Sequence, residues 1–435
     1  MSVLFVDNFR GFSNTYIPIH DVNFLVGENS TGKTSILGLM KLLAHPAFWF
    51  KHEFNTDDVN FGHFDDIVSV SAKDRRYFSI GLINSIDKKA DKEVDGFLLT
   101  FSKFQGIPRP SLYAYSFGGN EIRIDMTSKK IRYKERSTLP YKDIKTFVRE
   151  IFSNWVTAHA EEKTDYVKLP RRRKHFSESP IFIASEIEQL TKKKTSRFSG
   201  GYSATIPTFL DEMVWLAPIR TKPRRTYDEY KLEFSSQGDH TPYLVKRTLE
   251  KRSTSKTFKK FLDRVGRDSG LFETIQTKNY GPGPTAPFEL DVMINGKAIS
   301  ISNVGYGVSQ ALPVIVEVFT GRKNTWFAIQ QPEVHLHPRA QAALGDVFFE
   351  LAVKEKKKFI IETHSDYTID RFRLNYKMKK SIAKAPRAQI LYFERRSQGN
   401  KVYQLEIQNN GELPHDQPRG YRDFFIKEDM RLLGL

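Results

Sequence analysis

The sequence predicts an α/β protein built on a mixed sheet. Three observations carry this. Short apolar strands alternate with amphipathic helices near both ends of the chain, a glycine-rich turn, GENSTGKTS, joins one such strand to one such helix, and a basic stretch of mixed pattern separates the two ends. Residues 2–26 read as short strands broken at RGFSN and HD, ending in the apolar run Val22 to Val26. After the turn, ILGLMKLLA from Ile36 to Ala44 has helical periodicity. Between 60 and 104, DDIVSVSA, RYFSIGLI and GFLLTFS read as antiparallel strands. From about 105 to 270 the pattern is mixed and basic, with RRRK at Arg171 to Lys174, KKK at Lys192 to Lys194 and a helical KTFKKFLDRV from Lys256. YGPGPTAP, Tyr280 to Pro287, reads as a loop returning the chain to the core. The last third alternates again: TWFAIQ is a buried strand, PRAQAALGDVFFELAVK a helix with Pro338 in its first turn, KFIIET a strand, and SDYTIDRFRL a helix beginning after His364. AQILYFER and KVYQLEIQ close the pattern as a hairpin around SQGN. The expected organisation is an N-terminal lobe over 1–104, a basic helical and β insertion over 105–270, and a C-terminal lobe over 271–435.

Composition limits the chemistry. No window approaches the roughly 18 consecutive apolar residues of a membrane span. The opening MSVLFVDNFRGF enters strand-like alternation with no leader pattern, so the expectation is a cytoplasmic protein without a membrane partner. The absence of cysteine excludes disulfides, iron–sulfur clusters, thiol nucleophiles and cysteine-based zinc sites. The net charge of +17 is unevenly spread: Lys and Arg outnumber Asp and Glu by 35 to 20 in residues 101–270, against 10 to 13 in 1–100 and 23 to 18 in 271–435. The middle segment therefore holds most of the excess, which predicts a polyanion-facing surface with nucleic acid as partner and Arg171, Arg172, Arg173 and Lys174 as its contact cluster.

Gly27-Glu28-Asn29-Ser30-Thr31-Gly32-Lys33-Thr34 fits the phosphate-loop pattern G-x-x-x-x-G-K-[ST] without a mismatch. Gly27 and Gly32 let the backbone curl so that the N–H groups of Asn29, Ser30, Thr31 and the residues through Ser35 face phosphate oxygens, and the following helix presents its positive end to them. Lys33 is expected to reach the β- and γ-phosphates of ATP, and the Thr34 hydroxyl to bind Mg2+.

Taken in order, FVDNFRGF, this loop, NVGYGVSQALPVIVEVF at 303–319, IQQPEVHLHPRAQAALG and IIETHSDYTIDRF resemble the ABC-type, RecF/SMC-like and OLD-like AAA family ATPases of bacteria. That group includes the ATPase subunits of anti-phage defence modules of the PARIS, Septu and retron-associated types. FGHFDDIV, LAPIRTKPRRTY and GELPHDQPRGYRDFF extend the resemblance over all but the basic stretch of about 105–210. It implies an ABC-type P-loop ATPase head that forms a homodimer or higher oligomer through composite ATP sites. It implies further that Ser309, with the backbone of Gly305 and Gly307, reaches across that dimer to the γ-phosphate, that His364 is the switch histidine, and that Arg10 contacts the nucleotide. The resembling strand normally ends in an acid that holds Mg2+ through water, followed by a catalytic Glu or Gln and then Pro-Glu. Here Gln330 takes the metal position and Gln331 the catalytic one, leaving Glu333 as the carboxylate of that segment. A neutral amide orients a hydration shell but neither neutralises Mg2+ nor takes a proton. Hydrolysis is therefore expected to be slow unless Glu333 or Asp366 supplies the missing charge. The expected function is an ATP-dependent switch that controls a separate effector, a nuclease or toxin, in anti-phage defence. The competing expectation is a RecF-like repair ATPase whose basic segment clamps DNA directly.

Overall fold

The computed structural model describes residues 2–87, 92–117, 120–127, 131–137, 144–158, 165–170, 179–192, 213–229, 231–283, 285–378, 385–421 and 430–431. The chain forms two compact units. The first comprises residues 1–20, 28–212 and 393–404, and the second 21–27, 213–392 and 405–435. The sequence-based boundary at 104 falls in a short turn between two paired strands of the first unit.

In the first unit, β1 (Ser2–Asp7), β2 (Thr15–Ile19), β4 (Tyr77–Asp87), β5 (Lys92–Phe104), β6 (Ile107–Phe117), β7 (Asn120–Asp125), β8 (Arg132–Ser137) and β9 (Val167–Lys168) form an antiparallel sheet in the order β2-β1-β4-β5-β6-β7-β8-β9. Its helices are α1 (Lys33–Ala44), α2 (Pro46–Lys51), α3 (Phe64–Ile67), α4 (Ile144–Thr157) and α5 (Pro180–Lys192). The apolar stripe of α4, Val148, Ile151, Phe152 and Trp155, packs onto Val3, Phe5, Ile83, Leu98 and Ala114 of the sheet. Gly81 makes this possible, because a Cβ there would collide with the Phe152 ring. The expected strand DDIVSVSA is instead the short helix α3 followed by a bridge from Val68 to Phe9. The reason is local: the Asp66 carboxylate accepts from the His63 N–H at 2.8 Å, and a side chain that caps a turn competes successfully with a strand ladder.

In the second unit, β3 (Val22–Gly27), β10 (Met213–Leu216), β14 (Trp326–Gln330), β15 (Lys358–Glu362), β16 (Ala388–Arg396) and β17 (Gly399–Ile407) form a sheet in the order β10-β14-β15-β3-β16-β17, the hairpin end of β16 and β17 counting with the first unit. The pairs β10–β14, β14–β15 and β15–β3 are parallel. Every residue of β14 is buried, as expected for a parallel strand covered on both faces. The remaining helices are α6 (Thr241–Glu250), α7 (Ser255–Ser269), α8 (Tyr306–Thr320), α9 (Pro338–Glu355) and α10 (Asp366–Met378). A smaller antiparallel sheet joins β11 (Thr274–Asn279), β12 (Phe288–Ile294) and β13 (Lys297–Ser300). The loop expected to lead back to the core lies between the paired strands β11 and β12, and the chain after it enters the core with Phe288, Leu290 and Val292 buried.

Candidate nucleotide site

The phosphate loop begins where β3 ends, at Gly27 with φ +144°, and runs into α1 through Gly32 at φ +91°. A Cβ on Gly32 would stand 2.5 Å from the Phe12 ring, so both the backbone angle and the packing require glycine there. The same contact brings the FRGF entry turn against the loop. Lys33, almost fully buried, donates from Nζ to the Glu28 carbonyl at 2.7 Å, and the Thr31 hydroxyl donates to the same oxygen at 2.8 Å. Asn29, Ser30 and Thr34 are exposed, and Gly32 and Ser35 half-buried. A buried ammonium inside a turn of left-handed glycines is a built anion cradle, and ATP phosphates fit it. Sequence reasoning missed Arg395, whose Nη2 donates to the Ser30 carbonyl at 3.0 Å and so braces the loop from the β16–β17 hairpin. Arg10 donates from Nη2 to the Phe61 carbonyl at 2.6 Å and lies over the Phe61 ring, while its buried Nε has no partner.

In the second unit the C-terminal ends of the parallel strands carry the other expected residues. Gln330 and Glu362 are register partners on β14 and β15, and the Gln330 Nε2 donates to the Glu362 carboxylate at 3.3 Å. Gln331 turns the chain away from the sheet at φ +41°, an angle uncommon outside glycine, and its N–H donates to the Glu362 carbonyl at 2.7 Å. Glu333 accepts the His364 backbone N–H on Oε1 at 2.7 Å, while its buried Oε2 has no hydrogen-bond partner. His364 itself is exposed, next to Ser365, which is locked to Gln341 of α9 at 2.6 Å. The structure therefore brings Gln330, Gln331, Glu333 and the His364 backbone together, and adds Glu362.

The first turn of α8 supplies the glycine-rich segment. Gly305 is its cap and faces open space, and Gly307 sits where a Cβ would be 3.1 Å from the His335 carbonyl. The buried Ser309 donates to the Tyr306 carbonyl at 2.8 Å. Pro313, lacking an N–H, cannot complete the helical bond to the Ser309 carbonyl. The next residue, Gln310, clasps the backbone of Arg220, accepting from its N–H and donating to its carbonyl, both at 3.2 Å. Arg220 in turn donates from Nη2 to the Gln330 carbonyl at 3.2 Å, while its Nε and Nη1 have no partner. Burial pushes its guanidinium down to about 10, partly offset by the nearby Glu333 charge. Arg220 lies in LAPIRTKPRRTY, and an arginine four residues beyond the apolar strand β10 was the available signal for it. The cluster Arg171, Arg172, Arg173 and Lys174 lies outside the described residues.

The buried Lys33 and the glycine-dependent cradle are the donor types that ATP phosphates require, and the Thr34 hydroxyl in the same loop is of the oxygen type that a divalent cation takes. The profile of the AAA ATPase domain family matches residues 1–369 of the chain. No curated protein matches it. Similar solved structures include an SMC head bound to the C-winged helix domain of ScpA, 12% identical over 93% of this chain and 97% of that one with a TM-score of 0.41. The SMC head domain from Thermotoga maritima is 9% identical over 93% and 98%, with a TM-score of 0.37. The recombination mediator protein RecF of the RecFOR pathway is 12% identical over 93% and 97%, with a TM-score of 0.29.

Proposed function

The chain belongs to the AAA ATPase domain family, and we propose that this ATPase is a switch in which two copies close on ATP and thereby control a separate effector, a nuclease or toxin, in anti-phage defence. The observation that carries the ATP-binding part is the glycine-strained phosphate loop with the buried Lys33 at its centre. Lys33 and the loop N–H groups bind the β- and γ-phosphates, and the Thr34 hydroxyl holds Mg2+. Bound Mg2+ neutralises charge on the phosphate oxygens. Ser309 and the N–H groups at Gly305 and Gly307 bind the γ-phosphate held by a second copy, and the exposed His364 ring reaches the same group. Gln331 orients water but accepts no proton, which leaves the partnerless Oε2 of Glu333 as the acceptor. Turnover is slow on this reading, at or below roughly 1 s⁻¹, the lower end for phosphoryl-transferring kinases. What supports the defence role is the resemblance of the ordered motifs to ATPase subunits of defence modules.

The shared site is tested by mixing. Lys33→Ala alone is expected to abolish ATP binding in calorimetry, and Ser309→Arg alone to abolish hydrolysis. An equal mixture of the two regains hydrolysis from the one intact composite site that each mixed dimer can form, and complete inactivity of every mixture refutes sharing. For the defence role, Lys33→Ala introduced beside the native neighbouring genes is expected to remove phage protection; undiminished protection would count against it. The charge excess of residues 101–270 favours a second reading, a RecF-like ATPase that binds DNA directly.

A further inference from the structure

We propose that the elbow between α6 and α7 is a contact surface for the phosphate backbone of duplex DNA. The inference rests on the second reading above, direct binding of DNA, and names for it a surface that lies wholly within the second unit. Residues 247–260 hold six Lys and Arg against one acid. That surplus of five is a third of the surplus of fifteen over residues 101–270, gathered into fourteen positions. Arg247, Lys251, Arg252, Lys256, Lys259 and Lys260 are all exposed, and none forms an ion pair among the described residues. The acid of the stretch, Glu250, accepts from the Asn279 amide at 3.3 Å instead.

Folding alone does not account for this placement. On α7 the residues Phe258, Phe261, Leu262 and Val265 are buried, and Lys256, Lys259 and Lys260 stand on the opposite, outward face. The first turn of the helix holds no acid, and its Thr254 cap makes no side-chain bond to it. A helix N-terminus carries partial positive charge, so cations there are disfavoured, and Lys256 and Lys260, four residues apart, repel each other. The turn before α7 is tight: the Lys251 carbonyl accepts from the N–H groups of Thr254 at 3.0 Å and Ser255 at 2.9 Å. Lys251 and Arg252 are thereby held at the same end of the helix. Farther along α7 the chain pairs its charge, since Arg264 bridges to Glu350 of α9 at 2.5 Å and lies 3.9 Å from Asp268. The N-terminal end keeps like charges that no described anion answers. A local rule broken without compensation inside the protein is the mark of a functional surface. A row of anions supplies the compensation, and duplex DNA is such a row, with one charge per about 1.7 Å of its axis.

The test compares the full chain with the triple variant Lys256→Ala, Lys259→Ala and Lys260→Ala, whose changes all fall on exposed helical positions. The probe is a fluorescently labelled DNA duplex of mixed sequence, read by anisotropy across a salt series. The variant is expected to bind more weakly and to lower the slope of log affinity against log salt by about 2–3, at about 0.9 for each lost phosphate contact. Its melting temperature is expected to equal or exceed that of the unaltered chain, because alanine in the first turns removes like charge from a positive helix end. An unchanged slope overturns the proposal, and so does a clearly lower melting temperature, which would show that these lysines serve the fold. Polyglutamate that displaces the labelled duplex as well as unlabelled duplex does would overturn it in favour of an acidic protein partner. The underlying reading is judged separately. If the unaltered chain binds no duplex even at low salt, direct DNA binding fails and the elbow with it. If the chain binds duplex and the slope responds only to replacement of Arg171, Arg172, Arg173 and Lys174, that reading stands and the elbow proposal alone falls.

Discussion

His52 stands between the rings of Phe48 and Phe101, at 5.9 and 6.2 Å, with a buried Nε2 that has no partner. Burial alone pushes its imidazole down to about 4 from the ordinary 6.5. Because the folded value lies below the unfolded one, the unfolded chain binds the extra proton between those pH values, so this residue's effect on stability is absent above about 6.5 and destabilises progressively as pH falls to about 4. The full difference is on the order of 3 kcal/mol. Replacing His52 by Phe keeps an aromatic in the cluster and removes the proton, so melting temperature followed from pH 7 to pH 5 should fall less steeply in His52→Phe than in the unaltered chain. Parallel slopes would show that the imidazole is not held neutral. Nothing in KHEF marks His52 as buried, since its surroundings come from strand β5 and helix α2 folding together. Glu362 was hidden for a related reason: THS drew attention to His364, and only the register of β15 against β14 sets a glutamate beside Gln330.

At the scale of elements, continuous apolar runs and cleanly alternating strands were legible, and strands interrupted by charged residues in the middle of the chain were not. VNFLV, TWFAIQ and KFIIE are continuous apolar segments, and the chain uses each as a parallel strand of the second unit. The strands β6, β7 and β8 mix apolar residues with Arg, Lys and Glu, so they read as a basic insertion although they continue the sheet begun by β1 and β4. Helix α4 holds that sheet's covered face. Phe152 stacks on Phe5 with ring centroids 4.6 Å apart and occupies the space left by Gly81. Phe152→Ala is expected to lower the stability of the first unit by about 3–5 kcal/mol, the usual cost of emptying a buried aromatic site. Urea unfolding followed by tryptophan fluorescence measures it, with Trp155 one turn away as reporter. A change under about 1 kcal/mol, well below that range, would mean that α4 is held elsewhere.

For the molecule as a whole, charge makes the clearest prediction. The surplus of Lys and Arg lies in residues 101–270, and a protein that neutralises phosphates in this way loses DNA affinity with salt at a logarithmic slope of about 0.9 per contact. Replacing Arg171, Arg172, Arg173 and Lys174 together by Ala is expected to weaken duplex binding without regard to sequence and to flatten that slope by up to about 3–4. Fluorescence anisotropy across a salt series reads both; an unchanged slope would place the contact on other cations.

The sequence by itself determined the phosphate loop, because Gly27, Gly32, Lys33 and Thr34 act through backbone angles and chemistry set within eight residues. It also determined that the acid is missing from the end of β14 and that the positive charge concentrates in the middle of the chain. Only the tertiary structure decided which groups stand beside that missing acid. Glu362 comes from the neighbouring strand, Arg220 from the segment after β10, and the Gln310 clasp on Arg220 from α8, at separations of up to 110 residues. Strand register and helix packing set those neighbours, and neither is written in any short stretch of chain.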